Sequence, residues 1–153
     1  DAARPPEGVV VVRGSSSTAN LVKLLPWFAD GGPNVKIVAA ISHALFRRQA
    51  PKWQQGVLPT HEWADSMVVS NTARWNMNNW IPHVVGAEYA LTPDWDNRWR
   101  TGGSVEQIVA ESHLDPESLK AGIARFVEER EERLARMRAL LGSGSSEPRP
   151  VRA

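Results

Sequence analysis

The feature that most constrains the fold is the stretch "GVVVVRGSSSTANL" at residues 8–21. Its four consecutive valines, Val9–Val12, form an uninterrupted apolar run, which is typical of a strand buried on both faces of a parallel sheet. A glycine and three serines end the run, and apolar residues at helical spacing follow over 21–28. The stretch therefore predicts a strand, a tight turn and a helix capped by the serines.

Further apolar segments predict that this strand belongs to a layered α/β fold. Residues 35–42 and 66–71 are apolar runs that predict strands, and a helical pattern follows the first of them. Residues 84–91 could form a fourth strand, interrupted by a glycine. We expect Pro26 to kink the first helix near Val22, because proline lacks the N–H that a helix interior needs. The alternation of strand and helix favours an α/β layer architecture with a largely parallel sheet.

The turn after the first strand has part of the pattern of a phosphate-binding loop. A P-loop needs a second glycine and a lysine before its Ser or Thr, and "RGSSSTAN" has neither. The dinucleotide fingerprint needs three glycines, and Gly14 stands alone. A helix N-terminus can still attract an anion through its free amides, so Ser15, Ser16 and Ser17 form a candidate anion site. The alternative is a capped strand-to-helix turn without a ligand.

The C-terminal part of the chain carries strong helix signals. Ser104 and Gln107 have the spacing of a capping box, and Asp115 before Pro116 predicts the start of another helix. We predict a terminal helix over residues 114–141 with one apolar face.

Charged residues on the terminal helix have i,i+4 spacing. Glu129 with Arg133, and Glu132 with Arg136, are in the favourable orientation and predict a solvated, charge-laced surface. A coiled-coil partner is the alternative, although two heptads are short for one.

The ends of the chain differ from its middle in composition. The Pro-rich residues 1–7 predict a linker, and the Gly- and Ser-rich residues 142–153 predict a disordered tail. One domain over residues 8–141 lies between them, which is an ordinary size for a single core.

Composition excludes several classes of function. The net charge is +1, so we expect no nucleic-acid partner, and the apolar runs are too short for a membrane span. The chain has no cysteine, which excludes thiolate metal sites and favours a cytoplasmic location. None of its four histidines, His43, His61, His83 and His113, has another at i+4. We therefore expect no catalytic residue, no cofactor site and no metal site in this chain.

Several stretches match, in order, the pattern of one known domain. "VVVVRGSSSTANLVKLLPWFADGGPNVKIVAAIS" has its first strand, Gly-Ser turn, helix and second strand, and "ALFRRQAPKWQQGVLP" has its most specific motif. "DNRWRTGGS" and "VEQIVAESHLDPESLKAGI" correspond to a later turn and the closing helices. The individual counterparts are Leu45, Phe46, Gln49, Trp53, Val57, Leu58, Pro59, Asp96, Arg98, Trp99 and Ser104. Over roughly residues 8–127 the chain resembles the C-terminal domain of transketolase-type, thiamine-diphosphate-dependent enzymes.

This resemblance implies a fold and a role. The fold would be a three-layer α/β/α arrangement with a mixed, mainly parallel sheet, extended here by the long C-terminal helix. In such enzymes thiamine diphosphate and Mg²⁺ lie between a diphosphate-binding domain and a pyrimidine-binding domain, in a dimeric assembly. The resemblance therefore implies that this chain is structural, that those two domains are its partners, and that it is inactive when isolated. The parent enzyme would transfer two-carbon ketol units between sugar phosphates.

Two other interpretations stay open at the level of sequence. The chain could be the C-terminal part of an E1 component of a 2-oxo-acid dehydrogenase, whose C-terminal domain shares the architecture. It could also be a stand-alone, non-catalytic interaction or regulatory module.

Overall fold

The computed structural model describes residues 4–98, 100 and 102–142. Within them lies a parallel sheet of three strands in the order β2–β1–β3. The strands are β1 Val9–Arg13, β2 Lys36–Ala39 and β3 Ser66–Ser70. Val10 pairs with Ile37 on one side of β1 and with Met67 on the other, so β1 is the central strand. The strands predicted over 35–42 and 66–71 are confirmed.

The valines of β1 supply both hydrophobic cores. Val10 and Val12 belong to the first cluster, and Val9 and Val11 belong to the second. Successive side chains of a strand point to opposite faces, so the run of valines is buried because helices cover the sheet on both sides. The first cluster also contains Leu21, Leu24, Met67, Val69, Val85, Tyr89, Leu114, Leu119, Ile123 and Phe126. The second contains Val38, Ala40, Leu58, Val68, Met77 and Trp80.

Helices fill most of the remaining described residues. They are α1 Ser15–Val22, α2 Leu25–Ala29, α3 His43–Arg47, α4 Pro51–Val57, α5 Thr60–Ala64, α6 Val84–Ala87, α7 Val105–Glu111, α8 Pro116–Glu128 and α9 Arg130–Gly142, with a 3-10 helix at Arg74–Met77. No helix in these described ranges is long and apolar enough to cross a bilayer.

The first helix is interrupted where proline predicts it. α1 ends at Val22, and α2 begins at Leu25 with Pro26 in its first turn, where the missing N–H removes no helical bond. The predicted serine caps are wrong. Gly14 is the N-cap residue, and the serines form the first turn of α1.

The fourth strand predicted over 84–91 is wrong for most of its length. Residues Val84–Ala87 form α6, because the His83 side chain caps this turn by accepting a hydrogen bond from the Gly86 N–H at 3.1 Å. Leu91 alone pairs with the sheet, through a parallel bridge to Val69.

The C-terminal caps are confirmed. Ser104 and Gln107 form both hydrogen bonds of the capping box, and Asp115 accepts from the N–H groups of Glu117 and Ser118. The terminal helix predicted over 114–141 is divided at Glu129 into α8 and α9.

The predicted charge pairs on this terminal segment are replaced by other contacts. Glu129 pairs with Arg125, Arg133 pairs with Asp65, and Arg136 pairs with Glu88. Arg133 and Arg136 therefore tie α9 to other elements, and the predicted solvated surface is wrong for Arg133, which is buried.

The ends predicted as linker and tail are described only in part. Residues 1–3 and 143–153 lie outside the described residues. Residues 4–7 are held by Asn34, which donates to the carbonyls of Arg4 and Pro5 and exchanges hydrogen bonds with Glu7.

Candidate functional site

The carboxyl edge of the sheet is where a fold of this kind is expected to bind a ligand. In an open parallel sheet, ligands bind beyond the carboxyl ends of the strands, at the strand where the connections turn in opposite directions. Here that strand is β1, since β2 and β3 flank it on either side. A cavity of about 560 Å³ opens at this edge, lined by residues that include Arg13, Ser15, Ile41 and Thr72.

The three serines predicted as an anion site do not converge on this cavity. Ser15 lines it, whereas the Ser16 hydroxyl accepts a hydrogen bond from Asn71 Nδ2 at 3.0 Å. Ser17 is only 1% exposed, and its Oγ has no hydrogen-bond partner among the described residues. An anion at the edge would therefore meet one of the three hydroxyls, together with first-turn N–H groups of α1.

Gly14 is required by a close contact with Asn71. Its backbone has a φ of +96°, and a Cβ placed there would lie 1.8 Å from Asn71 Oδ1. The Asn71 amide thus packs directly on the turn and reaches the start of α1 through Ser16. Gly14 thus leaves room for the Asn71 side chain. This contact explains the glycine at this turn without a bound phosphate.

Exposed apolar side chains also follow the strand ends. Ile41, just after β2, is 85% exposed, and Trp75, shortly after β3, is 80% exposed. Arg13, at the end of β1, donates a hydrogen bond to the carbonyl of Asn76 at 3.3 Å, which places the 3-10 helix at the same edge. Sequence reasoning missed this apolar surface, although Ile41 and Trp75 stand where polar site residues are usual.

A second cavity lies beneath the segment that carries the most specific part of the resemblance. It measures about 130 Å³, and His43, Phe46, Trp63 and Trp80 are among its lining residues. The Trp63 indole donates to the Trp80 carbonyl at 2.8 Å, and His43 meets the Trp80 ring edge-on at 5.3 Å. Burial, aided by the charge of Arg47, lowers the pKa of His43, so its imidazole is a neutral hydrogen-bonding group in an aromatic pocket.

The carboxylates of "DWDN" serve local structure. Asp94 accepts from the backbone N–H of Arg74 with both oxygens, at 3.0 and 3.1 Å. Desolvation alone would raise the pKa of Asp96, but hydrogen bonds from Arg100 and Arg98 outweigh it and hold that pKa well below its usual range. Trp99, part of the same resembling turn, lies outside the described residues. In the described ranges, no group of three or more His, Asp or Glu side chains is placed to hold a metal ion.

The comparisons with known proteins add no relative: no protein-family model matches the chain, and no curated protein matches it.

Proposed function

We propose that this chain is the C-terminal domain, or a separately encoded subunit, of a transketolase-like enzyme that transfers two-carbon ketol units between sugar phosphates. Its role is assembly rather than catalysis. In this proposal the parallel sheet with its two hydrophobic clusters is the centre of the three-layer α/β/α arrangement of that domain. The enzyme is dimeric and cytoplasmic.

The positions of the resembling stretches support this proposal. "VVVVRGSSSTAN" spans β1 and most of α1. "ALFRRQAPKWQQGVLP" spans most of α3 and all of α4, and its Phe46 and Leu58 pack in the second hydrophobic cluster. The motifs thus belong to one sheet and its covering helices.

The observation that carries the proposal is the exposure of two large apolar side chains, Ile41 and Trp75, near the carboxyl edge. Large apolar side chains that are mostly exposed indicate a contact with another protein surface when they lie together. Ile41 lines the edge cavity and Trp75 lies on the 3-10 helix that Arg13 contacts, so both belong to this edge. We assign this edge to packing against the diphosphate-binding and pyrimidine-binding domains.

Thiamine diphosphate and Mg²⁺ belong to those two partner domains in this proposal. The resemblance assigns the residues that hold the magnesium-diphosphate group to those domains, and in the described part of this chain no three metal-binding side chains come together. No step of the reaction is therefore assigned to this chain. When bound by the partner domains, the cofactor would supply the carbanion chemistry of ketol transfer.

The test is to purify the chain alone and together with its candidate partner domains, encoded upstream or by a neighbouring gene. Ketol transfer is then assayed with thiamine diphosphate and Mg²⁺. We expect no activity from the chain alone, a stable complex, and activity that requires this chain. Activity of the isolated chain, or full activity of the partners without it, would overturn the proposal. Decarboxylation of 2-oxo acids by the complex, without ketol transfer, would instead assign it to the E1 components.

Variants at the apolar edge sharpen this test. Ile41→Asp and Trp75→Ser place polar groups at the proposed contact, and we expect each to weaken the complex about tenfold or more, since buried hydrophobic anchors dominate interfaces. Val84→Asp is the matched control, because Val84 is also exposed but lies on α6. Equal weakening by the control variant would show that the edge has no special role.

A further inference from the structure

A third cavity lies away from the carboxyl-edge cavity and shares no lining residue with it. It measures about 350 Å³ and is lined by residues from four parts of the chain, including Arg74, Thr92, Trp95, Ser112, His113 and Arg125. An apolar cavity of about 150 Å³ can hold a benzene molecule, so this one has room for a small organic molecule. We refer to it as the Ser112 cavity.

The hydroxyl of Ser112 lacks a partner in this cavity. Ser112 is 3% exposed at the end of α7, and its Oγ makes no hydrogen bond to any described residue. Nearly all buried polar side-chain atoms have a partner, which is either protein, water or a bound group. The Ser112 side chain therefore brings an unused hydrogen-bonding group to the edge of this cavity.

Two guanidinium groups give the cavity its charge. Arg125 donates to Glu129 through Nε, at 3.1 and 3.3 Å, and its guanidinium lies 4.9 Å from the centroid of the Tyr89 ring. The guanidinium of Arg74 makes no hydrogen bond within the described residues, and only its backbone N–H is bound, by Asp94.

The carboxylates near the cavity are already engaged. Glu88, which also lines it, accepts two hydrogen bonds from Arg136, at 2.9 and 2.6 Å. Glu129 accepts from Tyr89 as well as from Arg125, and Asp94 holds the start of the 3-10 helix. These carboxylates are thus held by other groups, and the Arg74 guanidinium makes no hydrogen bond to any of them, which leaves it able to bind an anionic occupant.

An aromatic pair forms one wall of the cavity. The rings of Trp95 and His113 stack with centroids 4.4 Å apart and an angle of 20° between their planes. The guanidinium of Arg100 lies 5.8 Å from the Trp95 ring centroid. This stacking holds the His113 imidazole in place as a further hydrogen-bonding group for an occupant.

We propose that the Ser112 cavity binds the phosphate group of a small molecule, through Arg74 and Arg125, with a hydrogen bond from Ser112. Guanidinium groups match the oxygens of phosphate with paired N–H donors, and a hydroxyl complements the remaining acceptors. The phosphate is either inorganic or part of a phosphomonoester, for which the cavity has room. This site is independent of the proposed role in a transketolase-like assembly.

Calorimetric titration of the full chain tests this site. Inorganic phosphate and glycerol 3-phosphate are titrated separately at constant ionic strength, with sodium chloride as the blank. We expect saturable binding of at least one. Tighter binding of glycerol 3-phosphate identifies a phosphomonoester as the ligand, and equal or tighter binding of inorganic phosphate identifies the free ion. Absence of saturable binding for both overturns the proposal.

Three variants locate the binding. Arg74→Gln removes one charge and should weaken binding about tenfold, and Ser112→Ala should weaken it several-fold, as expected for charge-assisted hydrogen bonds. Arg138→Gln on α9 is the matched control, since Arg138 is exposed and does not line this cavity. Circular dichroism checks that each variant is folded. Unchanged binding in Arg74→Gln, or equal weakening in Arg138→Gln, would place any bound phosphate elsewhere and overturn the proposal.

Discussion

The guanidinium of Arg133 and the carboxylate of Asp65 form a buried ion pair that joins the C-terminal helix α9 to the start of β3. Arg133 is 2% exposed, donates also to the carbonyl of Phe126, and lies 3.6 Å from the centroid of the Phe126 ring. Arg130 donates to the second oxygen of Asp65 at 2.7 Å. One carboxylate thus anchors two arginines of α9.

Removing either partner of this pair should destabilise the fold strongly. Breaking a buried ion pair by removing one partner costs about 3–5 kcal/mol, because the other charge is left uncompensated. We expect Asp65→Ala to cost more than Arg133→Met. In Arg133→Met, Asp65 keeps Arg130, whereas in Asp65→Ala the buried Arg133 loses its carboxylate and keeps the carbonyl and ring of Phe126. Urea unfolding at neutral pH measures both changes.

Arg136→Met is the control for this comparison. Arg136 also lies on α9, but its ion pair with Glu88 is on the protein surface. Its effect should fall within the error of the unfolding measurement, since exposed pairs contribute little. A loss in Arg136→Met as large as that in Arg133→Met would contradict the special role of burial.

Structural features that depend on a few neighbouring residues can be predicted from the sequence. The Ser104 capping box, the Asp115 cap and the helix break at Pro26 all depend on neighbouring residues, and the structure confirms each. The central strand β1 is predictable from its own residues too, because a strand between two cores needs an unbroken apolar run, as Val9–Val12 provide.

Features that depend on distant contacts were not predictable in this way. Asp65 and Arg133 are 68 positions apart, so local i,i+4 spacing suggested the wrong partner for Arg133. The segment 84–91 is apolar enough for a strand, but the His83 cap and the packing of Gly86 against Pro82 favour a helical turn. Short apolar runs of this kind do not distinguish helix from strand.

The candidate anion site illustrates a further limit of the sequence. Successive residues of a helix are rotated by about 100°, so Ser15, Ser16 and Ser17 cannot all face one ligand once they lie inside α1. Had Gly14 been recognised as the cap residue, this divergence could have been predicted. The Ser112 cavity has no such local signal, because the 3-10 helix, α6, α8 and the residues after α7 all contribute to it.

Two buried serines should respond in opposite ways to replacement by alanine. Ser17 Oγ has no hydrogen-bond partner in the described part of the chain, whereas Ser66 Oγ donates to the Trp63 carbonyl at 2.7 Å. Ser17→Ala should leave stability unchanged or raise it by up to about 1 kcal/mol, and Ser66→Ala should lower it by about 1 kcal/mol. Urea unfolding of the native chain and of the two variants measures these changes in unfolding free energy. A larger loss in Ser17→Ala than in Ser66→Ala would show that Ser17 has a partner.

The cap at Asp115 should make stability depend on acidity. Partial burial would raise the pKa of Asp115, but hydrogen bonds from the Ser118 hydroxyl and from the N–H groups of Ser118 and Glu117 hold it below its usual value. The ionised carboxylate therefore stabilises the folded protein fully above its unfolded pKa of about 3.9. This stabilisation is lost as the pH falls through the lower pKa that Asp115 has in the folded protein.

Asp115→Asn isolates this effect, since asparagine also caps helices but does not titrate in this range. The difference in unfolding free energy between the native chain and Asp115→Asn should be constant above about pH 5. Below about pH 4 the native chain should lose stability relative to Asp115→Asn. Urea unfolding at a series of pH values that extends above and below these limits measures it. A difference that is flat to the lowest pH would contradict the depressed pKa.

Replacement of Gly14 should distort the turn between β1 and α1. Gly14→Ala places a Cβ against Asn71 Oδ1 and forces a side chain onto a backbone with a φ of +96°. The backbone strain alone should cost about 1–3 kcal/mol. Asn71→Ala removes the clash and the hydrogen bond to Ser16 but leaves the strain. The double variant should therefore be more stable than Gly14→Ala and less stable than Asn71→Ala, as measured by thermal unfolding. If Gly14→Ala were as stable as the native chain, the turn would not need glycine, and the close packing of Asn71 would not explain the motif.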